Sequence, residues 1–153
     1  MQAAELCNRQ VVTASRDMSI PDAARLMRDQ HVGSLVVTDT REGKAMPVGI
    51  LTDRDIVIEI ISKDISLNEV TVGDIMTYAL LKVTEDENIF DVAQRMRARG
   101  VRRVPVISET GALVGILALD DMLELLSEEL SLLARLTARE SEQEQKKRTA
   151  RHD

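Results

Sequence analysis

The sequence predicts a mixed α+β fold: two β-α-β-β-α repeats related by pseudo-twofold symmetry, with a helical extension at the C-terminus. Three observations carry this. "GILTDRD" at residues 49–55 returns as "GILALDD" at 115–121. "IPDAARLMRDQHV" (20–32) lies over "IFDVAQRMRARGV" (89–101), so that Ile20, Asp22, Met27, Arg28 and Val32 meet Ile89, Asp91, Met96, Arg97 and Val101 at an offset of 69. Beyond those stretches the offset drops to 66, because "TDTREGKAMP" stands against the shorter "SETGA". A shared pattern whose length changes only at a turn is the mark of a duplicated unit.

Each element follows in order. A short extended piece, about 10–13 and 80–83, opens each copy. A helix comes next, with Ser19 or Asn88 as N-cap, and Asp22 or Asp91 three residues on suggests a capping box. Ile20, Ala24 and Met27, and Ile89, Ala93 and Met96, form its apolar face. Two β-branched strands follow, "SLVVT" with "PVGIL" and "RVPVI" with "LVGIL". A second helix begins at the repeated acidic motif. Residues 1–65 form the first repeat and 80–130 the second. The linker, 66–79, contains a short helix capped by Thr71. Residues 131–153 extend the last helix of the second copy, along which Leu123, Leu126, Leu130 and Leu133 keep a 3/4 spacing, and from Ser141 onward a polar tail predicts fraying.

Composition narrows the function. Tyr78 and Phe90 are the only aromatic residues, and 44% of the chain is hydrophobic, so the core must be aliphatic. Few aromatics and a net charge of −6 disfavour nucleic acid. The one cysteine, Cys7, and the two histidines, His31 and His152, make neither a disulfide nor a zinc set. No apolar run reaches the ~18 residues of a membrane span, and no secretory signal pattern opens the chain. A cytoplasmic protein is expected. Phosphate-binding glycine loops and Ser/His or Cys/His arrangements are missing, so no enzyme is expected.

Two uneven features remain. Thr52-Asp53-Arg54-Asp55 is a helix cap by pattern, as is Thr71-Val72-Gly73-Asp74. In the second copy Ala118 removes the hydroxyl, yet Asp121 keeps the acid, which a diol such as ribose would use. "RMRARGVRR" places Arg102 and Arg103 at the mouth of a strand, where the first copy has Gly33 and Ser34. From there a guanidinium can hold phosphate bidentately.

Together the duplication, "VRRVPVI" and "GILTDRD" resemble a tandem pair of CBS domains (the cystathionine β-synthase type) over about residues 7–130. The resemblance implies a cleft between the repeats for an adenosyl ligand: AMP, ADP, ATP or S-adenosylmethionine, with no covalent cofactor. It implies that Asp55 and Asp121 bind ribose, that Thr52 faces phosphate or ribose, and that Arg103 meets phosphate. It also implies that backbone around Val12-Thr13 and Val83-Thr84 contacts adenine. Arg54, Arg102 and Pro105 complete the candidate set. A homodimer acting on a separate target protein is the expected arrangement. The alternative is a dimerisation or interaction module that works without ligand.

Overall fold

The structure is a computed structural model that describes residues 1–78 and 80–150. By its internal contacts the chain divides into a unit Met1–Ala118 and a C-terminal unit beginning at Leu119.

The first unit contains both sheets. In the first repeat β1 (Thr13–Ala14), α2 (Ile20–Gln30), β2 (Ser34–Arg41) and β3 (Lys44–Thr52) follow a short helix, α1 (Ala3–Leu6). In the second, β4 (Val83–Thr84), α5 (Ile89–Arg99), β5 (Arg103–Ile107) and β6 (Leu113–Ala118) repeat the order. Each sheet has three strands, β1-β2-β3 and β4-β5-β6, with the first pair parallel and the second antiparallel. The ladders slip at equivalent places, between Val37 and Thr38 and between Val106 and Ile107. The duplication therefore reaches down to the β-bulges.

The core is aliphatic. Leu35, Val36, Val37 and Leu51 are fully buried in the first repeat, and Val83, Val104, Val106 and Leu117 in the second. Tyr78 and Phe90 are both exposed. The buried helix positions differ by one from the expected apolar face: Ala23 and Val92 are buried, whereas Ala24 is exposed and Ala93 half-buried. The i, i+3, i+7 stripe of Ile20, Ala23 and Met27 is the one that meets the sheet.

The caps also differ from expectation. Ser19 accepts from the Asp22 amide at 3.2 Å, but the Asp22 carboxylate pairs with Arg25 and makes no capping box. Asn88 caps the Phe90 amide. His31 and Gly100 end the two helices in the left-handed region, φ 54° and 64°, which places His31 as a C-cap. The expected long loop after β2 is a two-residue hairpin. Glu42 and Gly43 both have positive φ (51° and 73°), so the strands run on to Arg41 and from Lys44.

One arrangement has no precursor in the sequence reading. Gln2 bridges Asn88, and Asn8 bridges Ile116, so the N-terminal segment lies on the second sheet. Thr71 bridges Ser19, and Thr77 bridges Ile50, so the linker lies on the first. Residues 2–8 and 71–77 are thus pseudo-equivalent, and each covers its sheet at the repeated glycine of "GIL". The linker helix α4 (Val72–Ile75) forms as expected, with the Asp74 carboxylate accepting the Thr71 amide at 2.8 Å.

The linker is also tied to the first repeat by charge. Arg16 holds Asp39 through Nε and Nη2 at 2.9 and 3.1 Å, and its guanidinium lies 6.0 Å from the Tyr78 ring centre. The hydrogen bond from Arg16 lowers the Asp39 carboxyl below its ordinary range. A depressed carboxyl stabilises the fold above its unfolded pKa, about 3.9, and that contribution is lost as pH falls through the folded value. Asp39→Asn is therefore expected to melt below wild type at neutral pH. The gap should close below about pH 4 in thermal scans across pH.

The C-terminal unit is one helix, α6 (Leu119–Thr149), 31 residues long. It continues past Ser141, where fraying was expected; residues 151–153 of that expected tail lie outside the described residues. The segment is rich in Glu, Gln, Lys and Arg, which are good helix formers, and Lys146, Lys147 and Arg148 suit the dipole at its last turn.

Candidate functional site

The motif "GILT" runs out of β3 and stops where Thr52 caps α3 (Asp53–Ile56). The cap is reciprocal. The Asp55 amide donates to Thr52 Oγ1 at 3.1 Å, and the Thr52 amide donates to Asp55 Oδ2 at 2.9 Å. Capping explains the motif locally but does not use it up. The Thr52 hydroxyl accepts one bond and keeps its proton to donate, and Asp55 keeps Oδ1 as an acceptor. Beyond Ile56 the helix widens into a π-turn over Val57–Ile61, where four of five residues are β-branched and crowd a tighter spiral.

Around this cap lies a cleft of about 430 Å³. Its walls come from both repeats and from the linker. Ile50, Thr52, Asp53, Arg54 and Asp55 belong to the end of β3 and α3, while Gly33 and Ser34 open β2. Val101, Arg102 and Arg103 come from the start of β5, Thr77 from the linker, and Leu80 and Leu81 from the piece that opens the second repeat. The linker is fastened to β3 here by the paired bonds of Thr77 with Ile50, 2.9 and 3.3 Å. A Cβ on Gly33 would stand 3.2 Å from Asp53 Oδ2, so the exposed Asp53 side chain would have to give by a few tenths of an ångström.

The two uneven sequence features therefore meet. The hydroxyl-bearing T-x-x-D of the first repeat and the arginine pair of the second line the same cavity. Thr52 and Asp55 are half-buried, as is Arg103, while Asp53, Arg54 and Arg102 are exposed. Three guanidinium groups against two carboxylates give the walls a net positive charge, and Leu80, Leu81 and Ile50 supply an apolar side. This is a mixed surface suited to a small ligand with an apolar ring and an anionic end.

Of the candidate residues, Thr52, Arg54, Asp55, Arg102 and Arg103 line the cleft. Val12 and Thr13 do not. Val12 is half-buried, and its carbonyl accepts the Val36 amide at 3.1 Å. Val83 and Pro105 are buried in the second sheet, so their side chains serve the core. Asp121 stands in the first turn of α6, in the C-terminal unit. The sequence reading missed Ile50, Thr77, Leu80, Leu81 and Val101. The 69-residue offset ties Val101 to Val32, but nothing in the sequence marked Thr77, Leu80 or Leu81. Among the described residues no group of three or more His, Cys, Asp or Glu could hold a metal, and no helix is long and apolar enough to cross a membrane.

The CBS-domain profile matches residues 3–62 and 72–128, one copy on each repeat. The chain belongs to the CBS-domain family. As a CBS pair it is 32% identical over 120 residues to the protein MK0525 of Methanopyrus kandleri, across 78% of this chain but only 60% of that one. It therefore spans less than two thirds of that relative. Among solved structures it is similar to the hexameric CBS-CP12 protein from bloom-forming cyanobacteria. That match has a TM-score of 0.70 and 29% identity, over 80% of this chain and 69% of that one. It is also similar to the CBS domain pair of protein MJ0100 (TM-score 0.73, 26% identity, over 84% and 98% of the two chains). The MJ0100 structure is a complex with 5′-methylthioadenosine and S-adenosyl-L-methionine. The family span of 3–128 places the motif-bearing strands, the caps and the cleft inside the CBS pair.

Proposed function

We propose that this CBS pair is a regulatory module that binds an adenosyl ligand in the cleft and signals its occupancy to a separate protein. The observation that carries the reading is the meeting of Thr52 and Asp55 from one repeat with Arg102 and Arg103 from the other. Asp55 Oδ1 would accept from the ribose hydroxyls. The Thr52 hydroxyl and the guanidinium of Arg103 would take the phosphate, and the apolar side made by Ile50, Leu80 and Leu81 would face the base. The adenosyl compounds bound by the MJ0100 pair support this ligand class. Three cations on the rim favour a phosphorylated member, AMP, ADP or ATP, over a cationic sulfonium. The module acts without chemistry of its own, as a cytoplasmic oligomer, and a ligand changes its output only through unequal affinity for two arrangements of the repeats or protomers.

Thermal unfolding tests this. Nucleotide-free protein is melted alone and with millimolar AMP, ADP, ATP and S-adenosylmethionine. A ligand binding only the folded state at 100 times its Kd adds about 2.7 kcal/mol, which should raise the midpoint by roughly 5–10 °C. No rise with any of them would leave the ligand-independent interaction module as the function.

The cap complicates the usual alanine test and suggests a better one. Asp55→Ala would lose the box as well as the ligand contact, at about 1 kcal/mol of stability. Asp55→Asn keeps an acceptor oxygen for the Thr52 amide but removes the charge. It is expected to bind adenosine nucleotide about tenfold or more weakly by calorimetry, with an unliganded melting point close to wild type.

A further inference from the structure

We propose that Arg54 makes the cleft select nucleoside di- and triphosphates over the monophosphate. The selection presupposes the nucleotide binding proposed above and adds a second anion position to it. There, the half-buried Thr52 and Arg103 take the first phosphate. A longer phosphate chain needs a further cation on the same wall.

Arg54 is that cation, because its charge has no other use. Among the described residues its side chain enters no ion pair and no hydrogen bond. The local sequence explains why. A helical charge meets its neighbours three and four residues away, and ahead of Arg54 those are Val57 and Ile58. Arg25 and Lys63, by contrast, find Asp22 and Glu59 at these spacings. The acids adjacent to Arg54 do not face it along the helix, and both serve the backbone. Asp53 Oδ1 accepts the Arg54 amide at 2.8 Å, and Asp55 Oδ2 accepts the Thr52 amide at 2.9 Å. Glu59, the next acid along, is taken by Lys63. Arg54 is thus an exposed, uncompensated guanidinium on the cleft wall, two residues beyond Thr52.

The duplication makes the position a point of difference between the copies. At the 66-residue offset Arg54 meets Asp120, so the charge within the repeated motif is reversed. Only the motif of the first repeat offers a cation to a phosphate chain. A second phosphate would gain a charge-assisted bond to Arg54 that the monophosphate is too short to make. Because Arg54 is exposed, that gain is open to screening by salt.

Titration calorimetry of the full chain with AMP, ADP and ATP, free of divalent cations, reads the ratio of affinities. ADP and ATP should bind about tenfold tighter than AMP, and the ratio should shrink as salt is raised toward about 1 M. Arg54→Ala should bring the ratio close to one, and Arg54→Lys should keep part of it. Arg103→Ala should instead weaken all three nucleotides together and leave the ratio standing. Equal wild-type affinities for AMP and ADP, or a preference that survives Arg54→Ala, would overturn the proposal and leave nucleotide binding intact. Failure of all three nucleotides to bind would overturn both.

Discussion

Gly115→Ala is expected to destabilise the protein by about 1–3 kcal/mol, and Gly49→Ala by a similar amount. The two glycines are pseudo-equivalent, and each lies under the segment that crosses its sheet. A Cβ on Gly115 would stand 2.7 Å from Cys7 Sγ and 2.9 Å from the Asn8 carbonyl oxygen. On Gly49 it would stand 2.6 Å from Met76 Sδ and 2.9 Å from the Thr77 carbonyl oxygen. The Met76 side chain can swing away, but neither carbonyl can. Each belongs to a bridge whose paired bonds, Asn8 with Ile116 at 2.9 Å and Thr77 with Ile50 at 2.9 and 3.3 Å, hold the crossing segment in place. Thermal or urea unfolding measures the loss. Gly100 is the control, since a Cβ there meets nothing within 4 Å. Gly100→Asn should therefore cost far less, because asparagine tolerates the left-handed conformation. Equal losses at Gly100 and Gly115 would show that the crossing is not what requires glycine.

Arg103→Ala should weaken AMP or ATP binding by about 1.5–3 kcal/mol, roughly ten- to a hundredfold, and adenosine binding hardly at all. Titration calorimetry with the matched pair of ligands separates the two effects. The reasoning is local. Arg103 opens β5 directly opposite Ala118, and its half-buried guanidinium lines the cleft that holds Thr52 and Asp55. A lost charge-assisted bond to phosphate should appear only with a ligand that carries phosphate. Equal losses for nucleotide and nucleoside would assign Arg103 to shaping the cleft wall rather than to charge. Arg103→Lys should recover only part of the loss, since the ammonium cannot form the bidentate contact.

Occupancy of this cleft has a direct route to the rest of the module. Thr77 lines it and is bonded to Ile50, while the neighbouring Tyr78 donates its hydroxyl to the Gly73 carbonyl and lies beside Arg16. The linker that touches the proposed ligand site is therefore the same segment that covers the first sheet. A ligand that favoured one setting of this linker would bias both repeats at once.

The sequence by itself determined the duplication and with it most of the fold. Periodicity at Ile20 and Met27 and at Ile89 and Met96, the β-branched strands and the two "GIL" phrases are local signals, and local signals repeat when a unit is copied. It also determined that the two copies are unequal at Thr52 against Ala118 and at Ser34 against Arg103. Position on the helix surface was legible only to within a residue, because alanines adjoin at 23 and 24 and only contact with the sheet selects Ala23.

Tertiary structure decided the rest. Residues 2–8 and 71–77 share no identities, so their equivalence arises only when the one bridges the second sheet and the other the first. Gly49 and Gly115 acquire a steric reason only from the carbonyls that cross over them. The resemblance implied Val12, Thr13, Val83 and Pro105 as site residues; in the structure the Val12 carbonyl accepts the Val36 amide, Thr13, Val83 and Pro105 belong to the strand ladders, and other residues line the cleft around Thr52. Thr52 and Arg103 are 51 positions apart and belong to different copies. Packing of one repeat against the other is what makes them walls of one cavity, because chain order carries no record of which ends of two sheets will meet.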